Sequence, residues 1–322
     1  MIELNKIYQE PCINTLKKMP NNFLDCVITS PPYWQLRDYG YPEQWGLEPT
    51  YNEYLEHLWE MMDEVYRTLK SNGTVWINLG DTFSTQSGTS AAMARGKKYE
   101  NDTTYLVNRG ESANLIKDKS LPNKCLLLLP HRFAIGCIDR GWIVRNDIIW
   151  AKRNGMPESV TDRFSKKHEY IFLMTKSEKY YFDLDAVRSK HIHSNDKRND
   201  GNRHEYKEGV KSQNNEMLAT NAVSFNPLGK NPGSVSDFWD IPTKPSSSEH
   251  YAAYNDELLK KPVLAGCPEG GVIYDPFMGT GSTAEVAIRA NRNYIGSEMS
   301  EEYCKISDKR LEKYKLQTSL FQ

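Results

Sequence analysis

Nothing constrains this 322-residue chain more than a short loop near its end, Asp275-Pro276-Phe277-Met278-Gly279-Thr280-Gly281-Ser282-Thr283. An apolar run at 271–274 leads into it, and a segment with helical periodicity at 282–290 leads out. Strand, glycine turn and helix in that order make a βα unit, with the glycines letting the backbone turn tightly and approach a ligand. The start of such a helix presents free N–H groups to an anionic group. A further strand at 294–298 ends in Glu298, 23 positions after Asp275, where a carboxylate can grip both ribose hydroxyls of a nucleoside; Met299 follows it. The loop lacks the Gly-Lys-Ser/Thr of a P-loop and the full GxGxxG of dinucleotide binders. By itself it indicates a nucleoside-containing cofactor and leaves NAD and S-adenosylmethionine both open.

The rest of the chain repeats this alternation. Residues 23–29 form an apolar run that stops at Ser30-Pro31-Pro32, the pattern of a buried strand ending in a rigid loop. Residues 51–70 carry Leu55, Leu58, Met62, Val65 and Leu69 at helical spacing, Asn72-Gly73 ends that helix, and 74–79 reads as the next strand. Residues 125–140 read as a helix, 142–151 and 170–175 as strands, and 180–182 as a candidate partner for the last of these. Helices are expected at 255–264 and 301–315. The prediction is an α/β fold, a doubly wound Rossmann-like parallel sheet covered by helices. Two polar, weakly periodic stretches, 82–122 and 188–245, interrupt the pattern as long excursions.

The loop Thr29-Ser30-Pro31-Pro32-Tyr33-Trp34 lies just past a strand's carboxyl end, where open parallel sheets bind ligands. Its chemistry suits a weak amine nucleophile. The exocyclic amine of cytosine or adenine has its lone pair delocalised into the ring. Acceptors for its N–H groups, such as the Ser30 hydroxyl and the Pro31 carbonyl, favour a more tetrahedral, reactive nitrogen. Proline presents that carbonyl on a stiff backbone, and Tyr33 can stack on a base face. Such a base must leave the duplex to reach the pocket.

Taken together the two loops resemble the amino-methyltransferases that modify DNA. Ser30-Pro31-Pro32-Tyr33 matches their catalytic motif, (Asp/Asn/Ser)-Pro-Pro-(Tyr/Phe/Trp), and Phe277-Met278-Gly279-Thr280-Gly281 matches their Phe-x-Gly-x-Gly cofactor motif. With the catalytic motif first, the order resembles the permuted beta group. Residues 154–163, 168–172 and 250–261 are similar to further segments of the same enzymes, the first two near the target base and the third at the methionine end of the cofactor. The resemblance implies a Rossmann-like methyltransferase sheet with an inserted target-recognition region. It divides the chain into a catalytic half (1–187), a recognition region (188–245) and a cofactor-binding half (246–322). It implies S-adenosylmethionine as cofactor, held by Asp275, Pro276, Phe277, Gly279, Gly281, Thr283, Glu298 and Met299. Where family members carry Gly-Asp-Cys near the amino terminus, this chain has Glu10-Pro11-Cys12, so Glu10 is not expected to contact the adenine directly. Ser at the first motif position resembles cytosine-N4 enzymes, whereas Asp more often marks adenine-N6 enzymes; the adenine-N6 activity is the alternative, and an inactive DNA-binding module of the same fold a more distant one.

Double-stranded DNA is the implied partner, although the net charge of −1 provides no global basic field. Positive charge must then be local. Arg188, Lys190, Lys197, Arg198, Arg203 and Lys211 are the candidate phosphate contacts, diluted by Asp196, Asp200, Glu205 and Glu208, with Arg95, Lys97 and Lys98 a second patch. His131 and His168 read as structural. The six scattered cysteines form no CxxC pair, so reduced thiols, no metal site and a cytoplasmic setting are expected. No apolar stretch reaches the roughly 20 residues of a membrane span. A cognate restriction endonuclease and a homodimer are family expectations. The tail Gln317-x-Ser319-Leu320-Phe321 resembles sliding-clamp-binding peptides, though a frayed terminus with two apolar residues folding back is the favoured reading.

Overall fold

The computed structural model describes residues 2–84, 121–155, 158–188, 237–243 and 255–319, the side chains of 315–319 excepted. Along the chain run β1 (Lys6–Tyr8), α1 (Cys12–Lys18), β2 (Leu24–Thr29), α2 (Tyr51–Thr68), β3 (Leu69–Leu79), α3 (Leu129–Asp139), β4 (Ile143–Ala151) and β5 (His168–Thr175). They continue with β6 (Phe238–Asp240), α4 (Asp256–Gly266), β7 (Val272–Asp275), α5 (Ser282–Arg289), β8 (Asn293–Ser297) and α6 (Glu301–Ser319). The strands form one eight-stranded sheet in the order β1-β8-β7-β2-β3-β5-β4-β6. All neighbours are parallel except β5, which runs antiparallel to both β3 and β4.

Each face of the sheet has its own core, as the alternation of strand side chains requires. Val27, Val75 and Ile77 face α1, α2 and α3, where Leu16, Leu58, Met62 and Phe133 are fully buried. Cys26, Ile28 and Trp76 face α4, α5 and α6, against Leu259, Val263, Ala287 and Leu311. Strand β2 is buried along its whole length, which is why it reads as an apolar-rich run, Asp25 within it being paired with Lys70.

Strand order reverses between β2 and β7. From β2 the chain moves to β3 on one side, and from β7 it moves to β8 on the other. The loops that follow β2 and β7 therefore emerge side by side at the carboxyl edge, at a topological switch point. These are the Ser30 loop and the glycine loop.

Several boundaries differ from the sequence expectation, each for a tertiary reason. Helix α2 stops at Thr68 because Leu69 is already extended and pairs with Leu24; the residues up to Thr74 then form an irregularity opposite β2. Lys70, expected in the helix, reaches Asp25 on β2 at 2.7 Å. Helix α3 starts at Leu129, four residues late, because Leu128 is left-handed with φ 56°. The segment before it straps against Thr82–Ser84 through Ser84 N–H to Cys125 O (2.8 Å) and Leu127 N–H to Thr82 O (3.0 Å). This clamps the two ends of the 82–122 stretch together. Residues 180–182 do not pair with β5: Tyr181 N–H bonds Asn72 O at 2.8 Å and Asp183 N–H bonds Ala265 O at 2.9 Å. Strand β6 lies within the stretch 188–245 yet pairs with β4, so the sheet reaches into that stretch. Helix α6 continues to Ser319, four residues beyond the expected Lys315. No helix among the described residues is long and apolar enough to cross a membrane.

Helix α2 opens with a complete capping box: Thr50 Oγ1 accepts from Glu53 N–H at 3.2 Å, and Glu53 Oε2 accepts from Thr50 N–H at 3.1 Å. Thr50→Ala should therefore lower the unfolding free energy by about 1 kcal/mol, read as a drop in the urea midpoint at constant slope. Thr50→Ser, which keeps the acceptor, should recover most of it; equal losses for both would show that the cap contributes nothing.

Candidate active site

A buried carboxylate joins the two loops. Asp275, at the end of β7, is 1% exposed. Its Oδ1 accepts from the Thr29 hydroxyl at the end of β2 (2.6 Å) and from Phe277 N–H (3.0 Å), and its Oδ2 accepts from the Thr283 hydroxyl on α5 (2.6 Å). Burial pushes its carboxyl up to about 6, against the pull of these three hydrogen bonds. Asp275 thus lies beneath the glycine loop and holds its shape.

Above it, Gly279 and Gly281 have φ of +55° and +81°, a region that L side chains rarely adopt. Gly279 N–H donates to Glu298 Oε2 at 2.8 Å, and Ser300 N–H donates to Glu298 Oε1 at 2.7 Å. Burial raises the Glu298 carboxyl, opposed by these N–H groups. From α6, the Ser307 hydroxyl donates to Gly279 O at 2.8 Å and Arg310 donates to Ser282 Oγ at 2.5 Å. Phe277, Gly279, Glu298 and Met299 are half-buried, whereas Pro276, Gly281 and Thr283 are buried. The α5 N-terminus has no side-chain cap among the described residues. Half-buried loop residues beside an acidic strand end fit a nucleoside lying along the loop with its ribose at Glu298.

Two prolines and a set of buried anchors stiffen the β2 loop. The fully buried Tyr54 hydroxyl on α2 donates to Pro32 O at 2.8 Å. Trp34 Nε1–H donates to Glu48 O at 3.0 Å, and the Glu48 carboxylate accepts from Gly46 N–H at 2.9 Å and lies 2.9 Å from His57 Nδ1. This arrangement places Trp45 flat against His57 (centroids 5.4 Å, 21°) and edge-on to Phe277 (5.4 Å, 61°). Trp45 is thus a second link between the two loops, this time at their rim. Ser30 Oγ lies 3.5 Å from the Tyr33 hydroxyl, which donates to Glu169 Oε2 on β5 at 2.7 Å. Pro31 is buried; Ser30, Pro32 and Tyr33 are half-buried.

The residues marked from sequence in the two loops therefore meet at one edge of the sheet. Arg188 does not present an open guanidinium: its side chain is 13% exposed and it donates to Asp185 Oδ1 at 2.5 Å. Lys190, Lys197, Arg198, Arg203 and Lys211, and the second patch at Arg95, Lys97 and Lys98, lie outside the described residues. Glu10 accepts from Thr15 (2.8 Å) and Lys18 (2.7 Å), partners that occupy its carboxylate. His131 packs edge-on to Tyr170 at 4.6 Å, and His168 Nε2 lies 3.2 Å from the Tyr170 hydroxyl. Burial, then Lys166, lowers the His168 pKa. Sequence reasoning missed Trp45, Glu48, Tyr54, Asn78, Lys152 and Glu169. Only Glu169 fell in a segment marked by resemblance, and no local pattern distinguishes the others.

A model of the DNA methylase family, covering N6 and N4 enzymes, matches residues 24–309. The Type II methyltransferase M.Cfr9I of Citrobacter freundii is 33% identical over 313 residues, which span 97% of this chain and 89% of that protein. M.SmaI of Serratia marcescens is 34% identical over 293 residues, 91% of this chain and 86% of that protein. Among solved structures, the cytosine-N4-specific PvuII DNA methyltransferase superposes with a TM-score of 0.59 at 16% identity, over 95% of this chain and 86% of that one. M1.HpyAVI, solved in complex with S-adenosylmethionine, gives 0.52 at 16% identity, over 95% and 98%. At these identities the two structures speak for the fold.

The buried Asp275 has a consequence for stability. Its carboxyl sits at about 6 in the fold against an ordinary 3.8. Between those values the native chain holds a proton that the unfolded chain has lost, so this group's contribution is complete below the lower value and is lost as pH rises through the upper one. Asp275→Asn, which stays neutral, should lose less stability than the parent between pH 4 and 7, by up to about 3 kcal/mol. Urea unfolding across that range checks it; parallel pH curves for the two proteins would refute it.

Proposed function

Since the chain belongs to the N4/N6 DNA methylase family, we propose that it methylates the N4 amine of a cytosine at a specific site in double-stranded DNA. S-adenosylmethionine is the cofactor and supplies an electrophilic methyl group. Ser30 Oγ and the Pro31 carbonyl accept hydrogen bonds from the amine and draw its nitrogen towards tetrahedral geometry. Tyr33 stacks on the extruded base, and Pro32 keeps the loop rigid. Phe277, Gly279 and Gly281 shape the cofactor pocket, with Glu298 at the ribose and Met299 beside it. Asp275, Pro276 and Thr283 support it from below. Alignment of the two ligands across adjacent loops supplies most of the acceleration.

A single observation carries the cytosine reading: the residue that opens the motif is Ser30, a hydroxyl rather than a carboxylate, set at the end of β2 and half-buried beside the cofactor loop. The stretch 188–245 is assigned to target recognition, with Arg188, Lys190, Lys197, Arg198, Arg203 and Lys211 contacting phosphates or bracing the segments that do. The likeness to Type II methyltransferases supports pairing with a cognate restriction endonuclease.

Nucleosides from DNA of an unmodified host expressing the chain should contain N4-methylcytosine by mass spectrometry. N6-methyladenine without N4-methylcytosine would overturn the cytosine reading in favour of adenine. Ser30→Ala should lower kcat about 100-fold, the scale of losing one positioned hydrogen-bonding group, with unchanged S-adenosylmethionine binding by calorimetry.

A further inference from the structure

The two prolines fix the backbone of the β2 loop, but they do not fix the two side-chain torsions of Tyr33. Something else must hold its ring, and a connected polar cluster at the mouth of β3, β4 and β5 does so. The Tyr33 hydroxyl donates to Glu169 Oε2 at 2.7 Å and lies 3.3 Å from Asn78 Oδ1. Asn78 Nδ2 donates to the same Glu169 oxygen and to Tyr170 O, both at 3.1 Å. The other oxygen, Oε1, is ion-paired with Lys152 Nζ, which lies over the Trp150 ring at 4.3 Å. Beneath the Tyr33 ring is Gly80, where a Cβ would stand 2.5 Å from Tyr33 Cε2.

The Glu169 side chain is only 14% exposed. Burying a carboxylate costs free energy unless it is paired and hydrogen-bonded. The sheet itself does not need this charge, because Glu169 pairs with Trp150 through its backbone. What the carboxylate does hold is the tip of the tyrosine in the catalytic loop, and through the 3.5 Å contact between the Tyr33 hydroxyl and Ser30 Oγ it reaches the serine as well.

We propose that Glu169 is a positioning residue for methyl transfer. By accepting the Tyr33 hydrogen bond it fixes the plane of the ring on which the extruded base stacks, with Lys152 holding its second oxygen and Asn78 bracing the first. The inference rests on the Ser30–Tyr33 loop being the base pocket.

The test is a double-mutant cycle on the full chain. It uses labelled S-adenosylmethionine and in-vitro-amplified, hence unmodified, bacterial genomic DNA. Glu169→Leu and Tyr33→Phe should each lower kcat about tenfold with S-adenosylmethionine affinity unchanged by calorimetry. The double variant should be no slower than Tyr33→Phe alone, because one interaction has been removed twice. Glu169→Gln keeps an acceptor oxygen and should recover to within about threefold of the parent. A purely structural ion pair would give no such coupling and no such rescue. Independent, multiplying losses would overturn the positioning role, as would a Tyr33→Phe variant with parental kcat; the latter decides the matter even if Glu169→Leu does not fold. Parental activity in Tyr33→Ala would instead overturn the base-pocket reading beneath it.

Discussion

The hydrogen bond from the Thr29 hydroxyl to Asp275 spans 2.6 Å in space and 246 positions in sequence. It forms because β2 and β7 are neighbours in the sheet, and they are neighbours because strand order reverses between them. Among the described residues, both candidate site loops are arranged around that contact. The Ser30 loop leaves one side of it and the glycine loop leaves the other. Asp275 uses its remaining acceptor capacity on Phe277 N–H and Thr283, which fixes the conformation of the glycine loop. Trp45 then bridges the same two loops at their rim by contacting Phe277. A site for two ligands that must meet at one atom needs both floor and rim to be rigid, since a displacement of about 1 Å can cost on the order of a hundredfold in rate.

The reversed direction of β5 matters nearly as much. In a wholly parallel sheet every strand start lies at the edge away from the ligands. Strand β5 begins at the ligand edge instead, so its first residues, His168, Glu169 and Tyr170, stand beside the ends of β3 and β4. One inverted strand therefore adds a polar wall to the site without adding an element. The turn that precedes it brings Lys166 to the buried Asp81 at 3.3 Å and Lys152 to Glu169. Both lysines are neutralised in these pairs, and the basic stretches marked in the sequence, Arg188 apart, lie outside the described residues.

The two loops and most elements were legible because each rests on local chemistry. Proline and glycine punctuate strand ends, and periodicities of 2 and 3.6 mark what lies between. What escaped was set by pairing at long range. Strands β1 and β6 have three residues each and no periodicity to read; they exist because β8 and β4 offer them a ladder. Leu69 belongs to a helix by spacing and to a strand by its pairing with Leu24. The inverted direction of β5 is invisible in a single sequence, since antiparallel and buried parallel strands look alike in eight residues. Glu169, Asn78 and Tyr54 were missed for the same reason: each acts on the β2 loop from another element. Asp275 was marked as a ligand contact; its cross-link to Thr29 on β2, beside its bonds to Phe277 and Thr283, has no local signal in the sequence.

Among the described residues, the two outermost strands, β1 and β6, are also the shortest. An exposed sheet edge is a template that invites another chain to add a strand, and brevity is one of the ways natural sheets refuse the invitation. On the β1 side, Tyr8 O accepts Glu298 N–H at 3.0 Å, so part of that edge's backbone also faces inward to brace the cofactor-side strand. Among the described residues, neither margin offers another chain a long ladder. Among those residues, copies brought close together would then find little open ladder through which to exchange strands.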